Sequence, residues 1–256
     1  MEAYATAAMS ERVKPYRTSR KRDLGSSREA QLAAKREAIV AAAVRQFAEH
    51  GYEGARVEAI AAELGIAKGS VFAHFESKAG LFLAAYKAAV RSLARWQDAP
   101  PETLDAGFFA TVRYWLDRTG HLVRDDWTVY RVTLIGNHGT DLAIKREVVR
   151  FLADEDPYGT QAFVRWGIER GEIRDDLSSD LVTGVLDWLA ERFQDAQVTD
   201  ELDPGLFRRA STADQARRVD EFVELLRSAI GTRTTPGGGA DGRRGTVRPA
   251  ARAART

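Results

Sequence analysis

From about residue 28 to residue 231 the apolar positions recur at steps of three and four, the period of a helix with one buried face. Leu32, Ile39, Val40, Ala43, Val44 and Phe47 form the first stripe, and the Ser26/Glu29 pair has the spacing of a capping box in front of it. Gly51 closes this helix. Val57, Ile60, Ala61 and Leu64 mark a short second helix stopped by Gly65, and a third covers about 68–74. Ser77 can cap a fourth, with Leu81, Phe82, Ala85, Tyr86, Ala89, Val90 and Leu93 on one face, and "DAPPE" at 98–102 breaks it. Longer helices are predicted over 102–121, 124–137, 140–154, 156–171, 178–198 and 212–231, separated by "GNHGT", "DEDPYGT", "RGEIRDDLSSD" and "QVTDELDPGLFRRAST". No strict alternation with turn signals occurs, so the expected class is all-α: a four-helix front unit over 28–97 and a larger helical body over 98–231.

The ends lack this period. Residues 1–27 are polar, with Arg12, Lys14, Arg17, Arg20, Lys21 and Arg22 against Glu11, and read as a disordered basic arm. Residues 232–256 are rich in Gly, Ala and Arg and read as a disordered tail. Charge changes the picture further. The net of +1 hides a segregation: residues 1–97 carry 16 basic and 10 acidic side chains, residues 98–230 carry 16 and 26, and residues 231–256 carry 6 and 1. The front suits a polyanion and the body would be repelled by one.

With 256 residues, 44% of them hydrophobic, the chain can bury a substantial core. The absence of cysteine removes disulfides, thiolate metal sites and cysteine nucleophiles. No apolar run reaches the ~18 residues of a membrane span, and the N-terminus does not read as a secretion signal, so a soluble cytoplasmic protein without membrane contact is expected. For an enzyme, no "GxSxG", P-loop or "HExxH" is present; the acidic clusters "RDDL" and "ADEDP" fall near helix ends, and four histidines are dispersed at 50, 74, 121 and 138. No catalytic residue, cofactor or metal is assigned. Two other classes stay open: a helical small-molecule-binding protein or enzyme whose basic segments hold nucleic acid non-specifically, and a pure interaction module.

The stretch "IAAELGIAKGSVFAHFESK" at 60–78 weighs against both. Two short helices joined by a tight turn need a small residue where they cross, and Ala61 is one. They need a residue tolerant of positive φ in the turn, and Gly65 follows four residues later. Ile60, Leu64, Ile66 and Val71 can bury the inner faces, while Lys68, Gly69 and Ser70 open the second helix with short or basic groups. These features suit a helix that presents its N-terminus to a DNA groove, and taken alone they also suit a generic helical hairpin.

The order "AAVRQFAEHGYEGARVEAIAAELGIAKGSVFAHFESKAGLF" at 42–82 resembles the N-terminal DNA-binding domain of the TetR family of bacterial transcriptional regulators. The match runs from about Arg36 to Tyr86 and consists of several blocks at fixed spacing. The resemblance implies a three-helix helix-turn-helix domain with a connecting fourth helix, followed by a helical domain for effector binding and dimerisation. It places Lys68, Gly69, Ser70, Phe72, Ala73 and His74 at or near the major groove of a double-stranded DNA operator, with Arg56 and Lys78 on phosphates. His74 could instead pack against Phe47. The chain departs from the family pattern at Ala67, where Ser or Thr is usual, at Phe72, where Tyr is usual, at Arg56, and at Ala79 or Gly80, where an acid is common. These departures bear on individual phosphate contacts and not on the motif as a whole.

For the body the resemblance implies a homodimer, a near-palindromic operator and a ligand-responsive repressor. Leu181, Val185, Trp188, Leu189, Phe222, Val223 and Leu226 are the expected interface positions. A largely apolar effector is expected in a pocket drawn from Phe109, Trp115, His121, Trp127, Tyr130, Arg131, His138 and Trp166, with Asn137 as a further polar candidate.

Overall fold

The structure is a computed structural model and describes residues 20–95, 98–125 and 127–232, with the side chains of 20–27 and 120–125 outside the description. The expected tail therefore lies outside the described residues from 233 onward, and the basic arm lies outside them up to residue 19. Helix α1 (Arg20–Gly54) begins earlier than its pattern predicts. Ser26 is consequently inside the helix and not at its N-cap, and the last part of the expected disordered arm is helical. Leu32 is 49% exposed, and only from Ile39 onward does α1 bury a face, with Ile39, Ala42, Ala43, Phe47 and Ala48. Gly51, at φ 69° and ψ 178°, breaks the helix where the sequence predicts. Three helices follow: α2 (Val57–Glu63), α3 (Lys68–Phe75) and α4 (Lys78–Ala94). Ser77 caps α4 by accepting from the Gly80 N–H at 3.0 Å. A Cβ on Gly80 would stand 2.3 Å from the Phe75 carbonyl oxygen, which accounts for a glycine at this position.

The predicted helix at 102–121 is two helices, α5 (Pro101–Asp105) and α6 (Phe108–Asp125). Between them Gly107 takes φ 105°, and the Phe108 N–H donates to the Glu172 carboxylate at 2.8 Å, so a side chain far along the sequence caps α6. The body continues with α7 (Trp127–His138), α8 (Leu142–Glu155), α9 (Thr160–Glu169), α10 (Ser179–Val198) and α11 (Thr212–Ile230). Gly136 does not open a loop: α7 runs through it. A Cβ there would stand 2.4 Å from the Tyr86 ring, so this glycine is the small residue that lets α7 cross α4. Among the described residues the only extended pairing is one isolated bridge between Ile173 and Gly231, and the molecule is all-α. No helix among them is long and apolar enough to cross a membrane.

Two main apolar clusters hold these helices. The first joins α1–α4 to α7 and α8, through Phe47, Ile60, Val71, Phe82 and Tyr86 on one side and Val132, Ile144, Val148 and Phe151 on the other. Phe82 receives Phe47 and Tyr52 edge to face, at 5.0 and 5.2 Å between ring centroids. The second joins α6, α9, α10 and α11, with Phe108, Leu116, Phe163, Leu186, Val223 and Leu226 at its centre. The first cluster thus crosses the boundary expected near residue 97. Burying each such large side chain stabilises by about 1.5–3 kcal/mol, so α7 and α8 share one core with the front helices.

Candidate functional site

Helices α2 and α3 form the predicted hairpin. Gly65 takes φ 64°, the Gly65 N–H donates to the Ala62 carbonyl at 3.1 Å, and the Ile66 N–H donates to the Ala61 carbonyl at 3.0 Å. Ile60, Ala61, Val71 and Phe75 are buried beneath the hairpin. Lys68, Gly69 and Ala73 are exposed on its outer side, and Ser70 is half-buried. Ala67 is the N-cap of α3 and makes no side-chain cap. The first N–H groups of the helix therefore lack the usual Ser or Thr acceptor, which leaves the helix end suited to an anion.

The other predicted contact residues fall around this face. Lys68 pairs with Glu58 at 2.6 Å, and the pair holds the Glu58 carboxyl below its ordinary range. Arg56 is exposed at the N-cap of α2. The Lys78 ammonium donates to the Glu53 carbonyl at 2.9 Å and lies 5.1 Å from the Tyr52 ring centroid, which orients it and leaves further N–H donors available. Phe72 packs against the first cluster. His74 is half-buried, and its ring neighbour is Phe75 at 6.1 Å; Phe47 instead meets Tyr52 and Phe82. Two residues beyond the predicted set join the face from α1. Lys35 donates to Ser70 Oγ at 2.9 Å, and Arg36 stands 4.9 Å from the Phe75 ring centroid. Their only signal in the sequence is the basic pair itself, on a stretch of α1 that buries no apolar side chain.

Behind the hairpin, α4, α6, α7, α8 and α10 surround a half-enclosed cavity of about 190 Å³. Its walls include Tyr86 and Leu93 of α4, Trp115 and Arg118 of α6, Tyr130 and Asn137 of α7, and Asp187, Glu191 and Asp195 of α10, with Asp156 and Tyr158 from the α8–α9 turn. Tyr86 donates to Asn137 Oδ1 at 2.7 Å. Asp195 is buried; it accepts from Tyr130 at 2.7 Å and lies 2.7 Å from His138 Nε2. Arg192 Nη1 lies 3.2 Å from His138 Nδ1, an arrangement that fits Nδ1 as acceptor and Nε2–H as donor to Asp195. Burial first, and then the Asp195 charge, raises the Glu191 carboxyl above its ordinary range. His138, Glu191 and Asp195 lie close enough to share one cation.

Of the predicted pocket residues, Trp115, Tyr130 and the further candidate Asn137 line this cavity, and His138 borders it through Asp195. The others do not. Phe109 is in the second cluster beneath Arg227, Trp166 packs at that cluster's edge, and Trp127 and Arg131 are exposed. The side chain of His121 lies outside the described residues. The lining is more apolar than polar, as expected, but four carboxylates that the expectation does not include reach the cavity. The signal for three of them is Asp187, Glu191 and Asp195 at four-residue steps, one acidic stripe along α10.

The expected interface set divides. Leu181, Trp188 and Leu189 are exposed, at 50%, 66% and 40%, and Val185 is half-buried. Val223 and Leu226 are buried in the second cluster, and Phe222 stacks on Phe193 of the same chain at 4.0 Å, so these three serve the chain's own core. Leu225, one position beyond the expected face, is 62% exposed.

Comparison with known proteins agrees with this geometry. Residues 39–85 match the model for bacterial regulatory proteins of the tetR family. The chain is 30% identical over 169 residues to the HTH-type transcriptional repressor AcnR of Corynebacterium diphtheriae, covering 64% of this chain and 84% of that protein. It is 29% identical over 161 residues to the HTH-type transcriptional repressor DhaR of Mycobacterium sp., covering 58% and 74%. The fold is similar to that of the transcriptional regulator FadR from Bacillus subtilis, solved in complex with stearoyl-CoA, with a TM-score of 0.55, 19% identity and coverage of 76% of this chain and 98% of that one. Its helix-turn-helix, its helical body and these relatives together show that this chain belongs to the TetR family of bacterial regulatory proteins.

Proposed function

We propose that this protein is a ligand-responsive transcriptional repressor that binds a near-palindromic operator as a homodimer. The observation that carries this reading is α3. Its inner face is held in the first cluster by Val71 and Phe75, while Lys68, Gly69 and Ala73 stand exposed and Ser70 is held by Lys35. A rigid helix with small and basic outward groups can enter a major groove, and Arg56 and Lys78 flank it at helix starts where phosphate binding is favoured. The exposed Leu181, Trp188, Leu189 and Leu225 supply an apolar face on α10 and α11 for a second copy.

The ligand response has a route in the same geometry. Tyr86 and Leu93 belong to α4, which packs on α1 and α3, and both line the cavity. A ligand that fits one placement of α4 better than another shifts the spacing of the two recognition helices, and only that difference in affinity can shift it. Selection of bound sequences from a random DNA pool at two salt concentrations tests the reading. Enrichment of a two-fold symmetric site at both is expected. Binding without an enriched sequence, lost as salt rises, would reduce the basic front to phosphate attraction.

A further inference from the structure

We infer that the cavity binds a small organic dication whose two positive nitrogens stand about 6 Å apart. The inference rests on the cavity being the ligand pocket of the proposed repressor. It starts from α10, where Asp187, Glu191 and Asp195 recur every four residues and all line the cavity. Four residues advance a helix by about 6 Å on nearly the same face, so the carboxylates form a ladder with that spacing. Asp195 already has partners in Tyr130 and His138. Asp187 and Glu191 have neutral hydrogen-bond partners, the side chains of Thr160 and Asn137, although the His138 and Arg192 charges also act on Glu191. Among the described residues, no ion pair engages either of these two carboxylates. Asp187 stands exposed at the mouth and Glu191 lies further in.

The opposite walls have matching chemistry. Trp115, Tyr86, Tyr130 and Tyr158 bring aromatic surface to the same space, and ring faces attract cations. Burial, and then the Glu191 and Asp187 charges, raise the pKa of Tyr158, so its hydroxyl is neutral and can accept from an N–H donor. Asp156 adds a fourth carboxylate, although it also accepts from the Gln161 N–H at 3.2 Å. The nearby positive groups are Arg118 in the wall and His138 and Arg192 at the Asp195 end. A volume of about 190 Å³ is below the range of drug-sized ligand pockets, which favours a molecule of a few carbons over a long acyl chain.

The probes are 1,4-diaminobutane, n-butylamine, succinate, Mg²⁺ and Zn²⁺, each titrated calorimetrically into the full-length protein and into Glu191→Gln and Asp187→Asn. Diaminobutane should bind more tightly than butylamine, succinate should not bind, and either substitution should weaken diaminobutane about tenfold or more. Thermal unfolding of each variant without ligand separates a lost contact from a lost fold. Binding of succinate or of a metal ion in preference to the diamine, no binding of the diamine, or unchanged affinity in folded variants would overturn the inference. Repeating the titration with protein bound to its selected DNA site separates the two readings. Failure of the diamine to bind, with specific DNA binding intact, sinks the dication alone. Diamine binding that leaves DNA affinity unchanged sinks the ligand response and leaves the dication site standing.

Discussion

Gly69 has open space where a Cβ would stand. Nothing inside the protein requires glycine there, and alanine is the better helix former by up to about 1 kcal/mol. Gly69→Ala should therefore leave the thermal midpoint unchanged or raise it, while weakening operator binding because the added methyl meets the groove. Equal affinity for the operator in a binding titration would mean that this part of α3 does not approach DNA closely. The turn glycine Gly65, the buried Val71 and the exposed Lys68 stand where their spacing in the sequence puts them, because a helical hairpin is a local object. The Lys35–Ser70 contact is not legible in the same way, since it joins residues 35 positions apart and depends on how α1 crosses α3.

At the level of elements, two contacts carry more of the architecture than their chemistry suggests. Gly136 lets α7 lie against Tyr86 of α4, and this crossing connects the cavity to the DNA-facing helices. Gly136→Ala should cost about 1–3 kcal/mol through the clash and alter the ligand response. A denaturation midpoint equal to that of the wild type would show that the two helices separate freely. The loop before α11 depends on Asp203, whose carboxylate accepts from the N–H groups of Gly205, Leu206, Phe207 and Arg208 at 2.6–2.9 Å. Burial alone would raise its pKa, but these four donors outweigh burial and lower it. A lowered carboxyl stabilises the fold above the ordinary carboxylate range and loses that contribution as pH falls through its folded value. Asp203→Ala should cost about 3 kcal/mol near neutrality and less in acid, measured as unfolding against pH. A cost that stays constant in acid would contradict the assignment. Helix periodicity locates most of these elements. It merges α5 with α6 because the break at Gly107 is set by Glu172, a partner from across the fold that no local pattern shows.

For the whole molecule, the charge segregation acquires a spatial meaning: the basic front carries the recognition helix, and the acidic body holds the carboxylate ladder. The family resemblance anticipates the all-α class and the helix-turn-helix, because both follow from ordered local blocks. It anticipates only part of the cavity lining, Trp115, Tyr130 and Asn137, since the side chains lining it come from several helices and a turn whose mutual angles periodicity does not fix. It also places Val223 and Leu226 at an interface, although the apolar stripe of α11 is consumed by the chain's own core. The exposed remainder is left to carry the proposed dimer. Trp188→Glu should halve the mass found by sedimentation and reduce operator affinity, and a dimer that persists would move the interface elsewhere. Sequence-specific recognition by α3 is tested most directly by the ratio of affinities for the selected operator and a scrambled duplex of equal length, at one near-physiological salt concentration. A ratio of about 10³ or more is expected; a ratio near one would contradict recognition by this helix.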